Sequence, residues 1–209
     1  MTDARVVRTR AALHRAVLHL ASAKHISTVT VSELAAEAGI NRVTFYKHYA
    51  TPSETLADVI GGMLAETDSG RETRNAYADE STPRILEMWE GFTHLVDHVE
   101  DNQDLYRLGF EDPLDGTVRE ALTKHAYESL LWHLELRRNW ATTPADIDID
   151  MVAWVLASAL ATAIGYWLGD ASFTREDLRA NFGVVYPEWM RTEPDGTVLD
   201  RGALFPPLG

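Results

Sequence analysis

The stretch AGINRVTFYKHYATPSE, Ala38–Glu54, holds Arg42, Phe45, Tyr46, Lys47, His48 and Tyr49 within a dozen neighbouring positions, in a chain of 209 residues whose formal net charge is -13. The residues around it explain the concentration. Thr30-Val31-Ser32-Glu33 has the form of a capping box, in which the threonine hydroxyl accepts from the third helical N–H and the glutamate can reach back. A helix is predicted over Val31–Ala38, and Gly39 supplies the positive φ with which helices commonly stop. Asn41 is a good N-cap for a further helix reaching Tyr49. Thr51-Pro52-Ser53-Glu54 is a second capping box with proline at the first helical position, and its helix is expected to run to Glu66.

Two short helices joined by a three-residue turn, with Leu34, Ala35, Ala38, Ile40 and Phe45 facing inward together, have the geometry of a helix–turn–helix. The second helix of that motif enters the major groove of DNA. Asn41, Arg42 and Thr44 lie at its N-terminal end, where side chains reach base edges. Arginine reads guanine bidentately, and threonine meets either a base or a thymine methyl. Tyr46, Lys47 and His48 suit phosphate oxygens. A preceding helix, over Arg5–Ala23, can lay Arg5, Arg8 and Arg10 on the backbone of the duplex. On spacing alone the competing reading is a plain corner in a helical bundle.

The segment TVSELAAEAGINRVTFYKHYATPSETL, Thr30–Leu56, resembles the N-terminal domain of the TetR family of bacterial one-component transcriptional regulators. That family shows a Thr-capped helix, an "IA..AG" turn, a short recognition helix ending in a "YxHF"-like tetrad, and a "sKeeL" start to the fourth helix. The likeness covers about residues 8–60. It implies an all-α fold: an N-terminal three-helix DNA-binding domain, a connecting fourth helix, and a C-terminal helical ligand-binding and dimerisation domain. It also implies repression as the usual outcome. Thr30, Thr44, Tyr46, Lys47 and His48 carry over as DNA contacts. Two positions depart from the pattern. Pro52 stands where the family has a lysine, removing one cation and one backbone donor. Val43 stands where a small residue is common, adding bulk toward the groove and a possible thymine methyl.

Charge is divided unevenly. Residues 1–60 carry Arg5, Arg8, Arg10, Arg15, Lys24, Arg42 and Lys47 against Asp3, Glu33, Glu37, Glu54 and Asp58, a balance of +2 that leaves -15 for the remainder. The asymmetry suits an N-terminal part that faces an anion. Cysteine is absent, which excludes a disulfide framework and thiolate metal sites. No apolar run follows the polar N-terminus, so no secretory signal is expected and a cytoplasmic location is. The expected organisation is a DNA-binding domain over 1–52, a connecting helix and loop over 53–81, an effector-binding and dimerisation domain over 82–192, and an irregular tail over 193–209.

Met151–Gly169 carries no charge. Its flanks are Asp150 and Asp170, with no Lys or Arg to mark a membrane side. A helix buried in a core and in a homodimer seam is therefore preferred to a membrane span. Ala153, Ala157, Ala161 and Gly165, every fourth residue, form the expected close-approach row. The aromatic residues Trp89, Phe92, Tyr106, Phe110, Trp132 and Trp154, with His125, are the candidate lining of an effector pocket. The acidic composition favours a neutral or cationic, largely apolar effector, although an arginine turned inward would reverse that preference. His94 and His98 have helical metal-ligand spacing but no nameable third ligand, so no metal is expected. No cofactor-binding glycine motif or catalytic residue is apparent. The whole reads as a homodimeric, ligand-responsive regulator of a double-stranded DNA operator, not an enzyme. The alternative is a helical small-molecule binder or enzyme whose N-terminal corner is only structural.

Overall fold

A computed structural model describes residues 4–77 and 84–198, with the side chains of 68–89 outside the description. Among the described residues the regular structure is helical, apart from one isolated bridge between Thr192 and Val198. The α-helices are α1 (Ala4–Ala21), α2 (Val31–Glu37), α3 (Arg42–Phe45), α4 (Pro52–Tyr77), α5 (Arg84–Asp101), α6 (Gln103–Glu111), α7 (Thr117–Arg137), α8 (Ile149–Gly169) and α9 (Arg175–Val185). The all-α expectation holds.

The chain divides into two compact units. One takes the residues up to Leu64 together with Asp101–Ala121, and the other takes Ala65–Glu100 and the residues from Leu122 onward. Residues 101–121 thus return to the N-terminal unit, which no local sequence signal announces.

Two predicted boundaries move. The polar stretch from Thr67, expected as a loop, continues α4 as far as Tyr77. It contains good helix formers such as Arg71, Glu72, Arg74 and Ala76 and no proline, and extending a helix costs far less than nucleating one. Conversely, α3 ends at Phe45 rather than Tyr49. The chain must turn quickly to reach the next cap, and it does so with tighter bonds, Lys47 N–H to Thr44 O at 3.2 Å and His48 N–H to Phe45 O at 2.8 Å.

In the N-terminal unit, Leu13, Val17, Leu34, Phe45, Leu56, Ile60 and Tyr106 are almost fully buried. The corner between α6 and α7 belongs to this core. Asp112 is buried and accepts from the Ser27 amide at 3.0 Å, the Ser27 hydroxyl at 2.8 Å and the Leu114 amide at 3.1 Å. Burial alone would raise its pKa, but these donors outweigh it and hold the carboxyl below the usual range. The Ser53 hydroxyl donates to Asp115 at 2.5 Å, and Asp115 also accepts from the Thr117 amide at 2.8 Å, just before α7.

Gly109 is needed where α6 meets α7. A Cβ added there would lie 2.2 Å from Cγ2 of Val118, a buried side chain. Gly109→Ala is therefore expected to destabilise by about 1–3 kcal/mol through overpacking. The gain in helix propensity is smaller than that. Thermal denaturation of the variant checks it, and Gly109→Ala/Val118→Ala should recover part of the loss.

In the second unit, α8 is the central helix. Ala153, Leu156, Ala157, Leu160, Ala161 and Ile164 face inward, and Phe92, Leu122, Leu130, Leu178 and Phe182 are buried in the same unit. Its N-cap is Asp148, which accepts from the Met151 amide. Thr174-Arg175-Glu176-Asp177 has the form of a capping box with aspartate in place of glutamate, and Thr174 and Asp177 form it in both directions. Arg175 ties α9 to α5 through Asp97 and through Glu100 at 3.1 Å. By length and hydropathy α8 could cross a membrane. Its inward face is nevertheless covered by its own chain, as in a core helix.

Candidate nucleic-acid interface

The turn before α3 is built from backbone bonds that require Gly39. Gly39 has φ +68°, the Ile40 amide donates to Ala35 O at 2.9 Å and the Gly39 amide donates to Ala36 O at 3.1 Å. This is the Schellman arrangement, which satisfies the last carbonyls of α2. Thr30 caps α2 by accepting from the Glu33 amide at 3.2 Å, and the Glu33 carboxylate takes Lys24 Nζ at 2.7 Å. Asn41 caps α3 with its Oδ1, 2.8 Å from the Thr44 amide, so its exposed NH2 is the part left to face a ligand.

Phe45 points inward and is fully buried, which turns its neighbours outward. Arg42, Val43, Tyr46 and Lys47 are exposed, Val43 to 69%, while Thr44 and His48 are half-buried. All eight expected DNA contacts therefore keep solvent-facing surface, Thr30 at the start of α2 and the other seven on or beside α3. Among the described residues, the side chains of Arg42, Tyr46, Lys47 and His48 make no hydrogen bond within the chain. Exposed aromatic and cationic side chains without an internal hydrogen bond are what an anionic ligand can use.

One expected cation is committed elsewhere. Arg10 turns back onto the protein, with Nη2 2.6 Å from Asp58 Oδ2 and Nε 3.2 Å from the Tyr49 hydroxyl. Arg5 and Arg8 remain exposed on α1. Tyr49 itself is buried, and its hydroxyl donates to Asp58 Oδ2 at 2.6 Å. His14 Nε2 lies 2.7 Å from that hydroxyl and 2.9 Å from Asp58 Oδ2. Burial, reinforced by the bond to Asp58, pushes the Tyr49 phenol up to about 12. Burial would raise the Asp58 carboxyl, but the bonds from Tyr49, Arg10 and His14 prevail and lower it.

The expected effector-pocket residues scatter. Trp89 lies outside the described side chains. Tyr106 is fully buried in the N-terminal unit, where Phe110 sits under the Arg119 guanidinium at 4.6 Å. In the second unit Phe92 stacks on Phe182 at 5.4 Å, and Trp132 meets His133 edge-on at 4.8 Å. His125 Nε2 lies 3.4 Å from the Thr67 hydroxyl. Trp154 is 44% exposed and stacks on Tyr127 at 4.2 Å, outside the core. Tyr106 and Phe110 thus belong to one unit, and Phe92, His125, Trp132 and Trp154 to the other.

The small-residue row also has an internal use. Ala153, Ala157 and Ala161 are buried within the single chain and Gly165 is half-buried, so the row seats α8 against its own unit. A different stripe of α8 is open: Met151, Trp154, Val155, Ser158, Thr162 and Tyr166 are exposed. It borders a groove of about 700 Å³ between α8 and α9, lined by residues that include Ala159, Ala163, Phe173, Leu178, Phe182 and Val185. Sequence reading missed this face, although the i, i+4 recurrence of Met151 and Val155, and of Thr162 and Tyr166, was legible.

Arg107 and Arg119 do not supply the inward arginine that would favour an anionic effector: Arg107 pairs with Asp104 at 3.0 Å, and the exposed Arg119 covers Phe110. Among the described residues, Arg137, Arg179 and Arg191 are the buried arginines. Arg137 donates to Trp189 O at 3.3 Å and Thr192 O at 3.5 Å, lies 3.7 Å from Glu193 and covers the Trp140 ring. Desolvation lowers its pKa.

The helical fold, with an exposed one-turn helix behind a glycine turn, is similar to that of solved transcriptional regulators. The fold matches a TetR-family transcriptional regulator from Syntrophomonas wolfei with TM-score 0.63 at 12% identity, over 81% of this chain and 88% of that one. It also matches the fatty acid degradation regulator FadR from Bacillus halodurans with TM-score 0.62 at 15% identity, over 86% and 96%. The sequence is 43% identical over 65 residues to the uncharacterized HTH-type transcriptional regulator YxbF of Bacillus subtilis (strain 168), 31% of this chain. The match spans only 17% of that relative's length. No family model matches the chain.

Proposed function

We propose that the protein is a homodimeric transcriptional regulator that binds an operator in double-stranded DNA and releases it on binding a small molecule. The observation that carries this reading is the outward set Arg42, Val43, Thr44, Tyr46 and Lys47 around the buried Phe45. The 65-residue likeness to an HTH-type regulator supports it. Two recognition helices about 34–36 Å apart would enter successive major grooves, which calls for two copies. The exposed apolar stripe of α8, with the adjoining groove, is the surface we assign to the second copy, in place of the alanine row. Repression is the reading the family resemblance favours.

Anisotropy titrations with random and selected duplexes at several salt concentrations test it. Lys47→Ala is expected to weaken all sequences alike and to lower the salt slope by about one, because one phosphate contact is lost. Arg42→Ala is expected to relax preference at one base position by about 1–3 kcal/mol. Equal losses on specific and non-specific DNA for Arg42→Ala would assign Arg42 to positioning. No retention on heparin or duplex DNA at low salt would favour the alternative, a helical small-molecule binder with a structural corner.

The effector is proposed to be largely apolar. The acidic composition favours a neutral or cationic one, whereas buried Arg137, Arg179 and Arg191 would disfavour a cation beside them. Thermal-shift comparison of aromatic cations with long-chain carboxylates decides between these, the effector being the class that both stabilises the protein and releases DNA.

A further inference from the structure

The recognition helix has a single regular turn, Arg42–Phe45. So short an element cannot hold its own axis, since isolated turns are marginal and gain stability from what they pack on. Its direction has to be set at its two ends. The N-terminal side is held by the Gly39 turn and the Asn41 cap. The C-terminal side runs through Lys47 and His48 into Tyr49, and there the chain meets the polar cluster of Arg10, His14 and Asp58.

The cluster joins three elements at one point. Arg10 and His14 stand one turn apart on α1, Asp58 stands on α4, and Tyr49 closes the segment that begins with α3. His14 Nε2 lies near both acceptors, 2.7 Å from the Tyr49 hydroxyl and 2.9 Å from Asp58 Oδ2. The Tyr49 O–H donates to Asp58 Oδ2 at 2.6 Å, leaving the phenol oxygen to accept from Arg10 Nε at 3.2 Å and from an His14 Nε2–H at 2.7 Å. Asp58 Oδ2 also accepts from Arg10 Nη2 at 2.6 Å. The surrounding apolar contacts, such as Leu13, Val17, Phe45 and Leu56, hold the elements together without fixing an angle, because burial is non-directional. Charge-assisted hydrogen bonds do fix one. A phenylalanine would fill the ring's space and pack on Phe45, 6.4 Å away, but would leave Asp58 without its buried donor.

We infer that Tyr49 and Asp58 are positioning residues for base recognition: their bond, shared with Arg10 and His14, sets the tilt at which Arg42, Val43 and Thr44 meet the base edges. Neither residue is assigned a DNA contact. The inference rests on the DNA-binding reading above and goes beyond it by assigning operator specificity to side chains behind the interface. A site held within about half an ångström and 10–20° tolerates little loss of such support.

The test compares Tyr49→Phe, Asp58→Asn and the double variant. The probes are a duplex enriched by the wild-type protein from a random-sequence pool and a scrambled duplex of the same length. Each single variant is expected to lose about tenfold in the ratio of specific to non-specific affinity, the scale of one hydrogen bond to a charged group. Non-specific affinity and the salt slope should stay at wild-type values, and the double variant should lose no more than the worse single one. Circular dichroism and melting curves establish folding, and should one single variant fail to fold, the other decides. An unchanged ratio, equal losses on both duplexes, or losses that multiply in the double variant would each overturn the assignment, as would failure of both single variants to fold. A wild-type protein that enriches no duplex would overturn the DNA-binding reading itself, and this inference with it.

Discussion

If the protein forms the homodimer proposed above, Val155→Glu is expected to leave a folded monomer, whereas Ala157→Glu is expected to unfold the protomer. The two positions are neighbours on α8 and differ in what covers them. Val155 is 59% exposed in the single chain and lies on the stripe with Met151 and Tyr166, whereas Ala157 has no exposed surface. A carboxylate at 155 meets water in the monomer and is buried only when a second copy covers it. An unpaired charge at such a contact costs several kcal/mol, which at about 1.4 kcal/mol per decade shifts the dissociation constant by orders of magnitude. A carboxylate at 157 has no solvent-facing alternative, so the same cost falls on folding. Light scattering with circular dichroism separates the outcomes. A Val155→Glu variant that remains a dimer would show that the open stripe of α8 is not the seam, and a stable, folded Ala157→Glu dimer would contradict the internal packing of the alanine row.

Phe45→Ala is the second large effect. The ring is fully buried between the elements that carry the interface, 5.5 Å from the Tyr46 ring and 6.4 Å from the Tyr49 ring. Truncating a buried phenylalanine costs about 3–5 kcal/mol, of the order of a small domain's whole stability. DNA binding should be lost, with a new low-temperature transition in calorimetry. Val43→Ala is the control. At 69% exposed it should change stability by no more than about 0.5 kcal/mol. A valine that touches a thymine methyl should nevertheless alter base preference. A Phe45→Ala variant that melts like the wild type would remove Phe45 from the core of the motif.

The network behind α3 bears on how an effector could act. Asp58 lies on α4, so a displacement of α4 reaches Tyr49 through one short hydrogen bond rather than through a compliant apolar contact. If α4 carries the signal of the effector proposed above, loosening the bond should weaken operator discrimination and that signal together. The Asp112 and Asp115 bonds to Ser27 and Ser53 are a second set of directional ties within the same unit. They join the α6–α7 corner to the segments on either side of the helix–turn–helix.

Several elements were settled by local sequence because their causes are local. Gly39 in the left-handed region, the caps at Thr30, Asn41, Thr51 and Thr174, and the inward Phe45 each depend on residues within a turn or two, and the structure holds them as expected. The exposure of Arg42 and Lys47 follows from the same periodicity. Tertiary structure alone decided the rest. Arg10 was an equally good phosphate contact until Asp58, 48 residues away, was placed against it. The row at Ala153, Ala157 and Ala161 announced close approach but not whether the approaching helix belonged to the same chain. The aromatic residues of the middle helices announced burial but not which unit each would join. Spacing along one helix specifies which side chains share a face. What covers that face is set by contacts between residues distant in sequence, and those depend on how the helices are arranged in space.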